Sequence, residues 1–459
     1  MRTLSSKVRC LFGTDGVRDV ANRGVMTPEV VLRIARAYVL FLTERGTPRP
    51  KLVVGRDTRR SSPMLEAALF AGFTSAGADV YTLGVIPTPG VGFAVRTVGA
   101  DGGAVVSASH NPAEYNGIKL FDSGGVKLRD DDEAAVEEYL SDNLLDEWRP
   151  TGASIGIVDE KPSFIENYVH FLKGLMGEWK PKLRKVIVDC AHGATTVIVK
   201  NVLNVLGDEV LFVGANPTGV NINEGVGVMH MEHLKGWVRK ESADLGIAFD
   251  GDGDRVLFVD RNGRVLDGDI VLWVLARWLK KEGRLGSGVV ATVMSNMALE
   301  ELLAEEGIPC FRAPVGDRYV FELMECEKAL LGGEQSGHVI VRGYGAIGDG
   351  IGTAILFLRA CNSLGEEVES LADRFRRYPQ LLKNVRVCDK HFILSQDAVQ
   401  DKIKEVESFL KGKGRVFVRP SGTEPMVRIL LEARDLDLTS LADELVSFIE
   451  QVDAELNAK

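Results

Sequence analysis

Three aspartates spaced two residues apart form the most distinctive candidate site, in the run Asp250-Gly251-Asp252-Gly253-Asp254-Arg255. In extended backbone these side chains project to the same side, and the two glycines let the chain curl so that three carboxylates converge on one ion. Ligation by oxygen alone suits a hard cation such as Mg²⁺. An EF-hand is excluded, because its sixth position would be Arg255 and its twelfth Arg261. The remaining alternative, a solvated acidic turn, would crowd three like charges between apolar segments without a counter-ion.

A second candidate is a serine loop at the end of a short apolar strand, Ser107-Ala108-Ser109-His110-Asn111-Pro112. Open α/β sheets place their ligands at the carboxyl ends of strands. A nucleophile elbow is excluded because G-x-S-x-G is absent, and taken alone this stretch favours a serine that caps a helix over a functional one. Downstream, Asn116-Gly117-Ile118-Lys119 predicts a turn followed by a lysine that could act as an acid or base if its pKa is lowered.

Two further loops carry groups that recognise phosphates and sugars. Arg419-Pro420-Ser421-Gly422-Thr423-Glu424-Pro425 combines a guanidinium with two hydroxyls and a glycine, which can form a phosphate cradle, and Arg428 adds a second cation. Gly332-Gly333-Glu334-Gln335-Ser336-Gly337-His338 offers a carboxylate, an amide, a hydroxyl and an imidazole, which are groups that bind sugar hydroxyls. An ordinary turn remains an alternative for each loop.

Two other motifs do not support the sites they suggest. Gly343-Tyr344-Gly345-Ala346-Ile347-Gly348 matches G-x-G-x-x-G, but it lacks the strand and helix that a dinucleotide site requires. His230 and His233 lack the second pair of ligands of a zinc helix.

Short apolar strands alternate with amphipathic helices over most of the chain, which predicts crossover connections and largely parallel sheets. The helices begin at Thr27-Pro28 and Ser62-Pro63, and a buried one spans Ile270 to Leu279. The predicted strands are 51–54, 79–83, 104–106, 185–189, 209–213, 245–249, 289–291 and 308–311. The last segment changes to an α+β pattern, with strands at 385–387 and 415–418 and helices near 396–410 and 438–456.

Length and composition limit the function classes. The 459 residues predict about three domains, and 45% hydrophobic with 26% charged residues excludes disorder and a coiled coil. A net charge of −10 disfavours nucleic acid and anionic lipid as partners, so any phosphate site must be local. The sequence shows no secretory signal, no uncharged stretch suited to a membrane span and no closely spaced cysteine pair. These features predict a cytoplasmic protein without nucleic-acid or membrane partners.

These four loops, together with a fifth stretch near the N-terminus, resemble the α-D-phosphohexomutase family, in its order and across nearly the whole chain. They are Phe12–Arg18, Ala108–Pro112, Asp250–Arg255, Glu334–His338 and Arg419–Pro425. The resemblance implies an α/β fold of three similar mixed-sheet α/β domains plus a C-terminal α+β domain around a central cleft. The expected boundaries are 1–150 for the phosphoserine-loop domain, 151–255 for the metal-loop domain, 256–375 for the sugar-binding-loop domain and 376–459 for the phosphate-binding-loop domain.

Within the family, three stretches are similar to the branch that acts on glucosamine phosphate. These are Gln335, Val315–Val320 and Asn221–Asn223. The chain departs from that branch at Val226–His230, where a Cys-Gly-Ser-Thr-His run is usual, and at Asp19, where glycine is usual. A mutase of mannose and glucose phosphates is the alternative, and a metal-dependent phosphosugar-binding protein without turnover is a third hypothesis.

The resemblance also implies a mechanism. Ser109 is carried as phosphoserine, and Ser109, Asp250, Asp252 and Asp254 hold Mg²⁺. Lys119, His110 and Arg18 handle the proton and orient the reacting group, while a hexose 1,6-bisphosphate serves as intermediate and activator. The substrate phosphosugar is bound by Arg255, Glu334, Ser336, His338, Arg419, Ser421, Gly422, Thr423 and Arg428. A homodimer is compatible with this interpretation.

Overall fold

A computed structural model of the chain describes residues 11–13, 15–141, 144–179, 181–421 and 425–457. These residues form two compact units. The first comprises the described residues of Met1–Thr292 and Ile308–Asp373, and the second those of Val293–Gly307 and Arg374–Lys459. The expected four-domain boundaries remain a prediction.

The first sheet of the larger unit contains six strands in the order β1-β5-β4-β2-β3-β6. Its strands are β1 (Val17–Val20), β2 (Lys51–Arg56), β3 (Asp79–Val85), β4 (Gly102–Val106), β5 (Tyr115–Asp122) and β6 (Val158–Glu160). The strands β4, β2, β3 and β6 pair in parallel, whereas β5 is antiparallel to both β4 and β1. Val105 of β4 lies opposite Lys119 of β5, so the strand that leads into the serine loop lies beside the lysine.

Six helices follow or connect these strands. They are α1 (Pro28–Glu44), α2 (Ser62–Ser75), α3 (Thr88–Val98), α4 (Asp130–Leu140), α5 (Leu144–Glu147) and α6 (Ser163–Leu175). The predicted start of α1 is confirmed, because Thr27 accepts a hydrogen bond from the Val30 amide and proline occupies the first turn. The buried face of α1, including Ile34 and Tyr38, packs in the apolar core beneath the sheet.

The second sheet has five strands in the order β11-β10-β9-β7-β8. Its elements are β7 (Leu183–Asp189), α7 (Val199–Leu203), β8 (Gly207–Val213), α8 (Met231–Glu241), β9 (Leu245–Phe249), β10 (Val256–Asp260) and β11 (Val265–Leu266). Strands β9 and β10 are antiparallel, with Val256 opposite Phe249. The aspartate run is therefore the loop of a β-hairpin whose two strands are fully buried.

The third sheet has four strands in the order β13-β12-β14-β15. Its elements are α9 (Gly268–Lys281), β12 (Val289–Thr292), β13 (Cys310–Ala313), α11 (Asp317–Glu327), β14 (Leu331–Gly333), β15 (Val339–Val341), α12 (Gly350–Leu364) and α13 (Val368–Arg374). Gly333 of β14 lies opposite Val339 of antiparallel β15, so residues 334–338 form a second hairpin loop.

The smaller unit is built on an antiparallel sheet in the order β16-β18-β17. Its elements are α10 (Met297–Glu305), β16 (Gln380–Arg386), α14 (Lys390–Leu394), α15 (Asp397–Leu410), β17 (Gly414–Pro420), β18 (Met426–Ala433) and α16 (Leu438–Asn457). The α+β prediction for this segment is confirmed, and so is the fold class, because the other three sheets are all mixed. Among the described residues, no helix is long and apolar enough to cross a membrane.

Candidate active site

The serine loop leaves β4 and turns sharply at Ser109. This residue has a φ of +50° and is 1% exposed. Its hydroxyl donates a hydrogen bond to Oδ2 of Asp250 at 2.7 Å, and its amide donates to the Ser107 hydroxyl at 3.0 Å. The loop thus directs Ser109 towards the first aspartate of the β9–β10 hairpin.

A buried ion pair beneath the serine loop was missed by the sequence analysis. Arg59 and Asp57 are both completely buried, with Nε of the arginine 2.8 Å from a carboxylate oxygen. The same carboxylate oxygen accepts a hydrogen bond from the Ser107 hydroxyl at 2.7 Å. The available signal was the alternation of acid and base in Arg56-Asp57-Thr58-Arg59 at the carboxyl end of β2, next to β4.

The three aspartates converge in the hairpin loop. Asp250, Asp252 and Asp254 are 0%, 1% and 3% exposed, and one oxygen from each lies within 4.8 Å of the others. The expectation of extended backbone here is wrong, because the chain turns between the two strands and Gly253 has a φ of +72°. The expectation that glycines let the run curl is confirmed at Gly253, where the left-handed conformation favours a residue without Cβ.

The aspartate cluster fits a divalent cation. Oδ1 of Asp252 and Oδ1 of Asp254 are buried and have no hydrogen-bond partner among the described residues. Burial, followed by the charges of Asp254 and Asp252, raises the pKa of Asp250 well above its ordinary value. A hard cation bound by these oxygens would replace the missing partners and reduce the repulsion between carboxylates.

Lys119 places its ammonium group inside this cluster. Nζ lies 2.8 Å from Asp252, 3.2 Å from Asp15 and 3.6 Å from Asp254, and the side chain is 1% exposed. Burial acts to lower the pKa of Lys119, but the charges of Asp15, Asp252 and Asp254 outweigh burial and raise it. Acid–base action by Lys119 was predicted only on the condition that its pKa is lowered. In this arrangement its pKa is raised, so that condition is not met. The predicted turn before Lys119 is also wrong, because residues 115–122 form β5.

A second layer of charged residues surrounds the lysine, and only His338 among them was predicted as a site residue. Lys127 donates hydrogen bonds to Asp15 at 2.5 Å and to Asp317 at 2.6 Å. His338 places Nδ1 3.6 Å from Asp254 and Nε2 3.5 Å from Asp317. Burial alone would lower the pKa of His338, but the two carboxylates raise it. Asp15 and Asp317 lie within the stretches Phe12–Arg18 and Val315–Val320, but no role was predicted for either of them or for Lys127.

His110 lies within the serine loop, and Arg18 contacts this loop at Asn111. Nδ1 of His110 is 3.4 Å from the Ser109 hydroxyl, and burial, assisted by Arg255 and Arg18, lowers its pKa to about 4. The imidazole is therefore neutral near pH 7. Arg18 forms an ion pair with Asp15 and donates a hydrogen bond to the Asn111 amide oxygen at 3.4 Å.

The predicted sugar loop adjoins the aspartate hairpin through backbone pairing. Arg255 and His338 form an antiparallel bridge, and the Val256 amide donates to the Gly337 carbonyl at 3.1 Å. Glu334 accepts a hydrogen bond from the Gly316 amide at 3.1 Å, and the exposed Ser336 donates to Glu334 at 3.4 Å. The structure thus brings the metal-loop and sugar-loop residues to adjacent hairpins.

The predicted phosphate loop lies in the smaller unit, between β17 and β18. Arg419 and Arg428 face each other across these strands, and burial, followed by the charge of Arg428, lowers the pKa of Arg419. Ser421 is 1% exposed, and its hydroxyl has no hydrogen-bond partner among the described residues. Gly422 and Thr423 lie outside the described residues. Two arginines and a buried hydroxyl form a site suited to an anion.

Comparison with family models assigns every part of this arrangement to one family. Models described as phosphoglucomutase/phosphomannomutase alpha/beta/alpha domains I, II and III match residues 9–146, 166–263 and 267–378, and a model of the C-terminal domain matches residues 382–447. The chain belongs to the phosphoglucomutase/phosphomannomutase family. This confirms the α-D-phosphohexomutase resemblance, and members of this family are isomerases that transfer a phosphoryl group.

Similar proteins give the same assignment. A phosphoglucosamine mutase of Bacillus velezensis is 44% identical over 96% of this chain and 97% of its own. A phosphoglucosamine mutase of Geobacillus kaustophilus is 46% identical over 92% and 94%. The crystal structure of a phosphoglucomutase/phosphomannomutase family protein from Burkholderia thailandensis shares the fold, with a TM-score of 0.76 and 24% identity over 96% of both chains. The structure of an Aspergillus fumigatus N-acetylphosphoglucosamine mutase in complex with GlcNAc-6P and magnesium has a TM-score of 0.66 and 19% identity over 97% and 96%.

The structure shows where the two motifs that were set aside lie. His233 forms a hydrogen-bonded pair with the buried Asp189 at 3.0 Å and accepts a hydrogen bond from the Trp237 indole at 3.1 Å. It therefore anchors α8 to the end of β7. The glycines of 343–348 lie between β15 and α12, within the match to domain III.

Proposed function

We propose that this chain is a phosphoglucosamine mutase that interconverts glucosamine 6-phosphate and glucosamine 1-phosphate. The observation that carries the reaction type is the Ser109 hydroxyl, 2.7 Å from Asp250 at the edge of three buried carboxylates. A protein that only bound a phosphosugar would not need a buried hydroxyl beside a cation site. The sugar is supported by the names of the relatives that are 44–46% identical and by Gln335 in the sugar loop.

Ser109 is proposed to carry the phosphoryl group between two sugar oxygens. In the forward half-reaction, a sugar hydroxyl oxygen attacks the phosphorus of phosphoserine, the bond between phosphorus and Ser109 Oγ breaks, and the hydroxyl proton passes to Oγ. The product of this step is a hexose 1,6-bisphosphate. In the second half-reaction, Ser109 Oγ attacks the other phosphorus, and the released sugar oxygen takes the proton.

Asp250, Asp252 and Asp254, with Ser109, are proposed to hold Mg²⁺. The donor set contains only oxygen, and the two carboxylate oxygens without partners among the described residues fit this ion. When bound, Mg²⁺ supplies positive charge that offsets the negative charge on the transferred group. The Lys119 ammonium is proposed to hydrogen-bond an oxygen of that group, and Arg18 and His110 are proposed to orient it.

Substrate binding is assigned to two groups of residues. Glu334, Ser336, His338 and Arg255 are proposed to bind the sugar and its hydroxyls. The partly buried arginine pair and the loop that follows β17 are proposed to bind a phosphate of the substrate. The residues of that phosphate site are Arg419, Ser421, Gly422, Thr423 and Arg428.

A substrate panel tests the sugar. The purified chain, Mg²⁺ and a trace of glucose 1,6-bisphosphate are incubated with glucosamine, glucose or mannose 6-phosphate, and the 1-phosphate product is quantified. We expect glucosamine 6-phosphate to give the highest kcat/KM, glucose 6-phosphate to react slowly and mannose 6-phosphate to be poorest, because its axial 2-hydroxyl points elsewhere. Equal or faster turnover of mannose 6-phosphate would assign the chain to the phosphomannomutase/phosphoglucomutase activity instead.

A further inference from the structure

The conformation of Ser109 needs support from its surroundings. A φ of +50° lies in the left-handed region, which costs a residue with a Cβ about 1–2 kcal/mol. Such residues persist only where neighbouring contacts over-determine the backbone. The contacts that hold the Ser109 backbone are therefore part of what aims its hydroxyl at Asp250.

Two side chains share the carbonyl oxygens on either side of His110. Nη2 of Arg59 donates to the Ser109 carbonyl at 3.0 Å and to the Asn111 carbonyl at 2.8 Å. Nδ2 of Asn223 donates to the same two carbonyls, at 2.9 Å and 3.0 Å. Each carbonyl oxygen has two lone pairs and accepts two of these four hydrogen bonds, so the acceptor capacity of both carbonyls is fully used.

The two donors belong to different sheets. Arg59 follows β2 of the first sheet, the sheet that also carries Ser109. Asn223 lies between β8 of the second sheet and α8. Its backbone N–H donates a hydrogen bond at 2.9 Å to the carbonyl of Ala191, just after the end of β7. A Cβ on Gly251 would lie 2.6 Å from the Ser109 carbonyl and 2.8 Å from Asn223 Nδ2. Asn223 is thus packed where the serine loop meets the aspartate hairpin.

The residue type fits this place. Asn223 is 6% exposed and has a φ of +60°, a conformation that asparagine adopts more readily than most residues. Its side-chain amide supplies the two donors that the carbonyls need, whereas an isosteric aspartate would place a carboxylate oxygen against them. Both hydrogen bonds that its side-chain NH2 group donates thus go to the backbone of the serine loop.

We propose that Asn223 is a positioning residue for Ser109. It ties the serine loop to the second sheet and thereby fixes the distance between Ser109 Oγ and the aspartates of that sheet. The inference rests on the proposed function, because it assigns Asn223 to the phosphoryl transfer at Ser109. A displacement of a reacting atom by about 1 Å can reduce a rate by about 100-fold.

Phosphoryl transfer onto Ser109 provides a direct test. The dephosphorylated full-length chain is mixed with glucose 1,6-bisphosphate and Mg²⁺, and the phosphorylated fraction is followed by intact-mass spectrometry after rapid quenching. In this step Ser109 Oγ bonds to phosphorus, the bond from phosphorus to the sugar oxygen breaks, and the serine proton passes to that oxygen. We expect Asn223→Ala to slow this transfer by about 10- to 100-fold and Asn223→Asp to slow it at least as much.

Asn221→Ala is the matched control. Asn221 lies in the same segment, but its side chain bonds to the backbone of Thr218 and Asn216 within that segment. We expect this variant to phosphorylate at the parental rate. The dependence of the rate on bisphosphate concentration should show a lower maximal rate and a nearly unchanged half-saturating concentration in both Asn223 variants.

The outcomes separate this inference from the proposed function. If the unmodified chain takes no phosphate on Ser109, the mutase proposal itself fails. If the unmodified chain is phosphorylated and both Asn223 variants react within twofold of its rate, the positioning role is wrong. A rate loss that merely follows a loss of folded protein, measured by circular dichroism, would likewise assign Asn223 a structural role only.

Discussion

Replacing Asp252 by asparagine tests how the aspartate hairpin binds a cation. The change keeps the shape of the side chain and removes one of the three carboxylates that would bind the cation. Fewer negative charges would then offset the charge of a divalent cation. Asp252 Oδ1 has no hydrogen-bond partner among the described residues. In asparagine its place is taken either by the amide oxygen, a weaker ligand, or by the NH2 group, which cannot bind a cation.

The expected magnitude follows from the contacts of Asp252. Loss of a partner to a metal ligand typically costs 10- to 100-fold in affinity, so loss of a charged ligand should cost at least about 100-fold, or about 2.7 kcal/mol. The free energy of unfolding should fall by less than the roughly 3–5 kcal/mol typical of a broken buried ion pair. Lys119 retains two other carboxylate partners, Asp15 at 3.2 Å and Asp254 at 3.6 Å.

Isothermal titration with Mg²⁺ measures the affinity, and turnover as a function of Mg²⁺ concentration measures its consequence. We expect the half-saturating Mg²⁺ concentration to rise at least about 100-fold in Asp252→Asn. Asp131→Asn, at an exposed aspartate of α4, is the control and should behave as the parent. Unchanged Mg²⁺ affinity together with an unchanged rate in Asp252→Asn would refute the assignment of this cluster as the metal site.

Three further predictions concern the phosphate site, the sugar and a buried carboxyl group. Arg419→Ala should lower kcat/KM by about 10- to 100-fold, because hydrogen bonds to a charged group are worth about 1.5–3 kcal/mol. The loss should come chiefly from a higher KM, and the bisphosphate intermediate should escape more often. Loss of the chemical step alone, with normal substrate binding, would contradict this role. Gln335→Met should narrow the preference for glucosamine over glucose 6-phosphate, and an unchanged kcat/KM ratio would show that Gln335 only packs in the loop. Burial raises the pKa of Asp349 to about 6, so its stabilisation of the fold is present at low pH and is lost as the pH rises through about 6. Asp349→Asn keeps one oxygen that can accept the hydrogen bond from the Gly352 amide, while its NH2 group can donate to the Tyr168 hydroxyl oxygen. This variant should therefore raise the free energy of unfolding at pH 8 by up to about 3 kcal/mol and by little at pH 4, and an equal change at both pH values would contradict the pKa shift.

The sequence predicted the loops that carry the site because their signals are local. The aspartate run follows β9 at the predicted residue, Phe249, and the serine loop follows β4 at Val106. Each loop lies at the end of a short apolar strand, and chemistry-bearing residues at strand ends are a pattern that a sequence displays directly. Residues 376–459 were likewise assigned to α+β from the order of their elements.

The strand that carries Lys119 was not predicted because its local signals conflict. Asn116-Gly117 is a typical turn sequence, yet here both residues belong to β5, where Gly117 packs between two neighbouring backbones. A Cβ at Gly117 would lie 2.7 Å from the carbonyls of Ser107 and Val17. The glycine is required by this close approach, which only tertiary structure reveals.

The charged layer around Lys119 depends on contacts between residues that are distant in sequence. The same is true of the hydrogen bonds that hold the backbone of the serine loop. Lys127 meets Asp317 across 190 positions, and Asn223 meets Ser109 across 114. Neither pair has a characteristic spacing, so the sequence supplied the central groups and the structure supplied those that hold them in place.

The phosphorylation state of Ser109 during turnover tests the central claim most directly. The purified chain is mixed with Mg²⁺, glucosamine 6-phosphate and a trace of glucose 1,6-bisphosphate, and the quenched protein is analysed by intact-mass and peptide mass spectrometry beside Ser109→Ala. We predict one phosphate group, located on Ser109, in the unmodified chain, with neither phosphate nor turnover in Ser109→Ala although that variant remains folded. Normal formation of glucosamine 1-phosphate by Ser109→Ala, or turnover by a chain that carries no phosphate on Ser109, would contradict the account.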